Sequence, residues 1–514
     1  MVAHLNVMNV AVRFQHRTNE RGAETAIVDA RGDAVTYADL DRQTRQVAAW
    51  LDEQGLGAGD RVAVYLPDTP AYLPTVLGIW RAGAIASPIN TRFGVDELEF
   101  TLGDLEPAAL LGSDAFENNI AALGDRIDGL DEETTRLIER DGTFLADELP
   151  AADSAPAPAR RLDDDPAVVM YTSGTTGNPK GVVQTHRNVD AQLDVNVTAF
   201  DVTREDTSVV AVPLFHVGGL YGGALPMLLE GGTVVVQPAW DAAEWARLVD
   251  AHEATFSGLI PTMMLDALDT EAAREYDTST LDRVVYGGSP ATEETLDTFQ
   301  QVFEAGSLHN YYGQTENTGL SVTFGADTER RPGLLGRPVH AVEHRVVDLT
   351  ADGLVDVDPG EEGELLLRGD SITPGYWDES LNAEYFTDGW LHTDDVVRED
   401  AAGLLYYVDR ADDMIISGGE NVAPSEVENA LQEHPAIEAV AVFGTSHDRL
   451  GEVVTAAVIA SDPDCTADDI EAWWREDVDL ADYKRPRRIE FVDEFPRTAT
   501  QKIDKVALKE QLAG

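Results

Sequence analysis

An α/β fold is predicted by three observations. Short apolar strand patterns alternate with helical ones over most of the first 325 residues, the pattern of α/β architectures. Hydrophobic residues make up 43% of the 514-residue chain, an ordinary globular share. The length is worth about three to four domains, and no internal repeat is found. Taking the elements in order, Ala26–Asp29 and Ala34–Tyr37 flank Arg31-Gly32-Asp33 as a hairpin. Leu40, Val47, Ala48 and Leu51 then share one helical face, with Gly55 placed to cap its C-terminus. Val62–Leu66 reads as a strand, and a further helix and strand reach Ile89. The Ala/Pro-rich, then acidic, stretch Ala151–Asp165 is a surface connection, after which a second run of α/β units extends to about residue 325. From Gly333 to Tyr407 short strands (His344–Val347, Glu364–Arg368, Leu404–Tyr407) alternate with Gly and Asp turns. After Arg410 a domain-sized strand–helix pattern runs to the end. The expected organisation is a large N-terminal domain, residues 1–410, of two α/β subdomains plus a β-rich subdomain, and a small α+β C-terminal domain, residues 411–514.

Charge narrows the function classes. Lys and Arg number 37 against 94 Asp and Glu, a formal charge of −57. The apolar content argues against a disordered acidic chain, and the scarcity of cations argues against nucleic-acid binding. Only Lys180, Lys484, Lys502, Lys505 and Lys509 are lysines. Acidic excess with lysine depletion resembles the composition of a cytoplasmic protein from an extreme halophile. In molar salt the Debye length falls to about 3 Å, and dense surface carboxylates hardly repel one another. The single cysteine, Cys465, forms no intrachain disulfide, and its acidic neighbours disfavour a thiolate. The N-terminus lacks the basic start and apolar core of a signal peptide. Val209–Leu229 carries no formal charge and is long enough to span a bilayer, but Pro213, Pro226, His216 and four glycines make it a buried strand, loop and helix start. No transmembrane segment is expected.

The strongest local signal is Tyr171-Thr172-Ser173-Gly174-Thr175-Thr176-Gly177-Asn178-Pro179-Lys180-Gly181, directly after an apolar strand. Glycines allow close backbone approach, hydroxyl and N–H groups surround phosphate oxygens, and the lysine adds charge. An ordinary Gly/Ser/Thr turn is the bland alternative, weakened because the only lysine of the first 483 residues falls here. The P-loop pattern does not fit: Pro179 stands where that motif has glycine, and Lys180 is followed by Gly181. Val182–Thr185 reads as a returning strand, so this is a phosphate loop of another kind.

This segment resembles the phosphate loop of the acyl-adenylate-forming superfamily, which includes acyl-CoA synthetases, adenylation domains of peptide synthetases and luciferases. Further motifs recur in the expected order: Pro213–His216, Tyr286–Pro290, Asn310-Tyr311-Tyr312-Gly313-Gln314-Thr315-Glu316, Gly389–Asp395, Tyr407–Arg410, Ser417–Asn421 and Pro496–Ile503. Together they cover nearly the whole chain.

The chemistry explains the residue types. Activating a carboxylate requires it to attack the α-phosphate of ATP, and both reactants are anionic, so positive charge must sit between them. The resemblance assigns that task to Lys502; on composition alone Lys502 is a helix lysine paired with Asp504. It implies that Glu316, with Thr172, holds Mg²⁺. Thr315 and the hydroxyls of Thr172, Ser173, Thr175 and Thr176 suit phosphate oxygens, with Gly174, Gly177 and Lys180 in the same loop. The resemblance further implies that Tyr312 stacks on adenine, that Asn310 takes its exocyclic amine, and that Tyr311, Gly313, Gln314, Gly288, Ser289 and Pro290 belong to the same nucleotide-binding motifs. Asp395 accepts the ribose hydroxyls, with Tyr407 and Arg410 beside it. His216 is a core histidine or, by resemblance, lines and gates the acyl pocket, and the glycines after it leave a channel for an apolar acid. The expected catalytic residues are thus Lys502, Thr172, Glu316 and His216. Asp412 resembles a hinge that makes the small domain mobile, bringing Lys502 in for adenylation and then Gly418 and Gly419 for the pantetheine arm of CoA. Two departures stand out: Asp394 replaces the usual glycine of Thr-Gly-Asp, and Gln501 replaces the glycine before the catalytic lysine.

The implied function is an AMP-forming acyl-CoA ligase using a small-molecule carboxylic acid, ATP and CoA, the acid being a medium- or long-chain fatty acid. The alternatives are a 4-coumarate-type aryl-acid CoA ligase, a stand-alone adenylation enzyme loading a carrier protein, a luciferase-like oxygenase, and a non-catalytic nucleotide-binding relative. A homodimer is left open.

Overall fold

A computed structural model describes residues 9–123, 126–127, 130–131, 134–138, 149–172, 179–326, 328–349, 351, 353–417, 420–447, 450–463, 465–478, 480–496 and 503–512. The chain divides into two compact units, residues 1–344 with 367–391, and residues 345–366 with 392–514.

The first unit holds two largely parallel sheets. In one, the strands run in the order Gly375–Tyr376, Lys180–Thr185, Pro166–Thr172, Ile85–Pro88, Arg61–Tyr65, Ala109–Ser113 and Thr135–Ile138. The last five are parallel, and Pro166–Thr172 turns back antiparallel into Lys180–Thr185, the returning strand expected from the sequence. The second sheet places Thr233–Val236, Thr207–Val210, Phe256–Leu259, Arg283–Gly287 and Ser307–Gln314 side by side in parallel. Thr25–Val28 adds to its edge and pairs antiparallel with Ala34–Thr36, the predicted hairpin. Strands buried on both faces require continuous apolar runs, and Val62, Ala63, Val64 and Tyr65 are all fully buried.

The helix Tyr37–Glu53 starts where Thr36 and Asp39 form a reciprocal capping box and buries Leu40, Val47, Ala48 and Leu51 as expected. Val209–Leu229 resolves into the end of a strand, a loop, a seven-residue π-helical segment Gly218–Ala224 and the helix Leu225–Glu230. Among the described residues no helix is long and apolar enough to cross a membrane.

In the second unit, Trp390–Glu399 pairs antiparallel with Leu405–Arg410. A further sheet is built on the long hairpin Ile437–His447 and Gly451–Ala460, covered by the helices Pro424–Gln432 and Ala467–Asp477.

Candidate active site

Local sequence forms the phosphate-loop hairpin. Tyr171 pairs with Gly181, and Thr172 with Lys180. Ser173, Gly174, Thr175, Thr176 and Gly177 lie outside the described residues. The Tyr171 hydroxyl donates to Asp104 Oδ2 at 2.7 Å; burial first, and then Asp104, push its pKa far up, so it stays a phenol. Trp377 closes over the hairpin, its N–H donating to Gly181 O at 2.7 Å. Lys180 makes two contacts with Tyr385. Its ammonium donates to the Tyr385 hydroxyl and lies 4.6 Å from the same ring's centroid, a cation–π contact.

Glu316 sits in the turn joining Ser307–Gln314 to Gly319–Thr323. Thr318 N–H donates to Thr315 O at 3.0 Å, and Asn317 Oδ1 accepts from Gln314 N–H at 2.5 Å. Thr318 adopts φ 57° there, a rare conformation for a β-branched residue. Gly313 is required at its position, because a Cβ would lie 1.7 Å from Gly319 O. The turn is then fixed from outside: Thr373 N–H donates to Glu316 O at 2.8 Å, and the Tyr376 hydroxyl to Glu316 Oε1 at 2.9 Å. Gln184, on the returning strand of the phosphate hairpin, donates to Thr315 O at 3.2 Å and accepts from the Tyr221 hydroxyl at 2.7 Å. Two motifs about 140 positions apart are thus joined through one buried amide.

Alternation along Ser307–Gln314 sorts the nucleotide-motif residues. Tyr312 lies on one face of the strand and is half-exposed. Tyr311 points the other way, into the core, where it stacks on Phe200 with centroids 6.4 Å apart and packs beneath Gly222. Its side chain is therefore a packing element of the core. Asn310 is buried and donates its amide N–H to Leu335 O at 3.0 Å, leaving Oδ1 as the atom suited to an adenine amine. Gly288 takes φ 84°, turning the chain after Arg283–Gly287 so that Ser289 and Pro290 are exposed.

His216 lies half-buried just before the π-helical segment, its ring 4.5 Å from that of Phe215. π-Helical segments recur at functional sites. Sequence reasoning missed the group behind this loop: Asp68 Oδ1 accepts Leu214 N–H at 3.0 Å, 146 positions away. Burial pushes the Asp68 carboxyl up to about 7, the Leu214 N–H and Arg92 offsetting part of the rise.

The second unit carries the remaining described groups. Asp395 and Arg410 are cross-strand partners, and Arg410 donates to Asp395 Oδ1 at 3.0 Å and to Thr393 O at 3.1 Å. Asp395 N–H donates to Thr393 Oγ1 at 3.2 Å, and that hydroxyl to Leu365 O at 2.7 Å, which fixes the carboxylate from below. Tyr407 is half-buried, and burial followed by Asp395 and Asp409 raises its pKa well above the usual phenol range. Asp394 Oδ2 lies 3.6 Å from Arg410 on its other side. The expected Gly418, Gly419 and Lys502 lie outside the described residues.

Carboxylate and hydroxyl oxygens suit Mg²⁺, which is held by one or two carboxylates together with substrate phosphates. Glu316, fixed by Tyr376, and Thr172, at the end of its strand, fit that donor set. Among the described residues no cluster of three His, Cys, Asp or Glu side chains forms an all-protein metal cage.

Comparison with known proteins matches residues 14–377 to the family model described as AMP-binding enzyme, and residues 426–502 to the AMP-binding enzyme C-terminal domain. The chain is 36% identical to a feruloyl-CoA synthase of Amycolatopsis over 92% of its own length and 93% of that protein's. It is 30% identical to the long-chain-fatty-acid–CoA ligase FadD13 of Mycobacterium tuberculosis, over 98% of this chain and 99% of that one. ATP-bound MatB of Rhodopseudomonas palustris superposes with a TM-score of 0.86 at 28% identity, covering 98% of each chain.

Proposed function

The chain belongs to the AMP-binding enzyme family and is an AMP-forming acid–thiol ligase, and from that premise we propose that it joins a medium- or long-chain fatty acid to CoA. The observation that carries the reading is the union, through Gln184 and Thr373, of the phosphate-loop hairpin with the Glu316 turn. That union supports the reading by tying the strands of Thr172 and Lys180 to the turn of Thr315 and Glu316. The uncharged run Val209–Leu229, with its glycines and His216, supports an acid with an apolar body.

In the first step a carboxylate oxygen attacks the α-phosphorus and the bond to the β-phosphate oxygen breaks, giving acyl-AMP and pyrophosphate. Lys502 offsets the charge between the two anions. Thr172, Ser173, Thr175, Thr176, Thr315 and Lys180 bind phosphate oxygens, Tyr312 stacks on adenine, and Asp395, steadied by Arg410 beside Tyr407, accepts the ribose hydroxyls. Mg²⁺, held by Glu316 and Thr172, supplies neutralisation of phosphate charge when bound. In the second step the CoA thiol gives up its proton and its sulfur attacks the acyl carbon, releasing AMP. Gly418 and Gly419 leave room for the pantetheine arm, and residues 411–514 turn about Asp412 so that Lys502 serves the first step and withdraws for the second. The enzyme works in the cytoplasm of a halophile.

A second reading, an aryl-acid CoA ligase, is favoured by the 36% identity to feruloyl-CoA synthase. A panel of fatty and aryl acids assayed in molar KCl with ATP and Mg²⁺, with and without CoA, decides between them. Highest kcat/KM on a medium- or long-chain acid, with thioester formed on free CoA, is the expected result. Preference for ferulate-like acids establishes the second reading. Pyrophosphate release without thioester on free CoA points to a carrier protein as acceptor.

A further inference from the structure

Arg410 touches not one carboxylate but two. Its guanidinium donates to Asp395 Oδ1 at 3.0 Å, and its other terminal nitrogen lies 3.6 Å from Asp394 Oδ2. Asp395 is almost fully buried, whereas Asp394 and Arg410 are each about one-third exposed, with side-chain values of 31% and 33%. Asp394 reaches this position with φ 56°, in the left-handed region where glycine is free of strain and aspartate is tolerated at a cost. Its N–H donates to Glu364 Oε1 at 3.3 Å, and Glu364 Oε2 in turn pairs with His392 Nδ1 at 2.9 Å. The backbone at Asp394 is therefore pinned on one side while its carboxylate braces Arg410 on the other.

One terminal nitrogen of Arg410 is held by Asp395 Oδ1 at 3.0 Å and Thr393 O at 3.1 Å, which leaves the attitude of the opposite nitrogen to be set by its own surroundings. The Asp394 carboxylate, 3.6 Å from that opposite nitrogen, draws it by charge, and because the guanidinium is planar a pull on one nitrogen sets the attitude of the other. We propose that Asp394 is a positioning residue for ribose recognition: it orients Arg410, which holds Asp395 in the attitude that accepts both ribose hydroxyls. The inference rests on the reading of Asp395 as the ribose-binding carboxylate. It accounts for an aspartate where the related motif has glycine, in a conformation that favours glycine.

The test uses the full-length protein in molar KCl, with affinities for ATP and for 2′,3′-dideoxy-ATP measured by titration calorimetry in the presence of Mg²⁺. Wild type should bind ATP more tightly than the dideoxy analogue. Asp394→Gly, which relieves the backbone, should melt at or above the wild-type temperature yet bind ATP about three- to fivefold more weakly. Dideoxy-ATP affinity should stay unchanged, so the ratio of the two dissociation constants contracts. Asp394→Asn tolerates the same backbone, lacks the charge, and should contract the ratio likewise. A ratio unchanged in both variants overturns the inference while leaving Asp395 in its role. Equal weakening of both nucleotides also overturns it, by making Asp394 a merely structural residue. A wild-type ratio near unity removes the ribose role of Asp395 and the inference with it.

Discussion

Two single residues carry sharp expectations. In the proposed mechanism Lys502 supplies the charge that the adenylation step requires, so Lys502→Ala should slow acid-dependent pyrophosphate release by about 10²- to 10³-fold. Thioester formation from supplied acyl-adenylate and CoA should fall far less; equal loss in both half-reactions would contradict the assigned role. Asp68 makes a stability argument. Its folded-state pKa, pushed up to about 7 by burial, lies above the ordinary aspartate value. Below about pH 4 both folded and unfolded forms are protonated and nothing is lost. Between about pH 4 and 7 the unfolded chain releases the proton first, and stability falls, levelling off above about pH 7. Asp68→Asn keeps the acceptor for Leu214 N–H and cannot ionise. Its melting temperature minus that of wild type, measured in molar KCl, should therefore rise from pH 4 to pH 7 and then level off. A flat difference would show that Asp68 does not ionise in this range. Lys502 is singled out in the sequence because it stands in the run Pro496–Ile503, which resembles a family motif. Asp68 is not, because its carboxylate accepts from a backbone N–H 146 positions along the chain.

At the scale of elements, the hairpin Ser307–Gln314 and Gly319–Thr323 shows how pattern and packing divide the labour. Its motif marked seven consecutive residues as one functional group, but strand alternation sends Tyr311 into the core and leaves Tyr312 half-exposed. The turn beyond it is held from outside by Tyr376, whose short strand pairs with the phosphate hairpin. Removing that hydroxyl in Tyr376→Phe leaves the ring in place and deprives the Glu316 carboxylate of a donor. A hydrogen bond to a charged group is worth about 1.5–3 kcal/mol, so kcat/KM for ATP should drop by about tenfold or more. KM for the acid should hold steady; a change confined to the acid would place Glu316 elsewhere in the reaction. The π-helical segment Gly218–Ala224 was not legible from its glycines. Glycine pairs announce close approach or turning, but the extra residue per turn is set by what packs on either side, as Gly222 does over Tyr311.

For the whole molecule, the charge of −57 reaches even into backbone conformation. Among the described non-glycine residues with positive φ, Glu106, Asp201, Glu253, Glu304, Asp388 and Asp394 are acidic and only Thr318 is not. Glycine, and after it Asn and Asp, adopt this region most readily, so the glutamates Glu106, Glu253 and Glu304 hold it at a conformational cost. Such a surface is self-repelling in dilute buffer and screened in molar salt. Melting temperature should fall steeply between molar KCl and about 0.1 M KCl, and an unchanged value would separate the composition from the solvent. The fold class, the hairpins and the order of the motifs followed from the sequence alone, because strand and helix periods and glycine-rich loops are local properties of the chain. Tertiary structure alone decided that Gln184 ties the phosphate hairpin to the Glu316 turn, that Lys180 rests on Tyr385, that Tyr311 is a core residue, and that Arg410 is held by two aspartates. Each of these depends on side chains brought together by folding from positions far apart in sequence or from facing strands, and no local pattern encodes such a meeting.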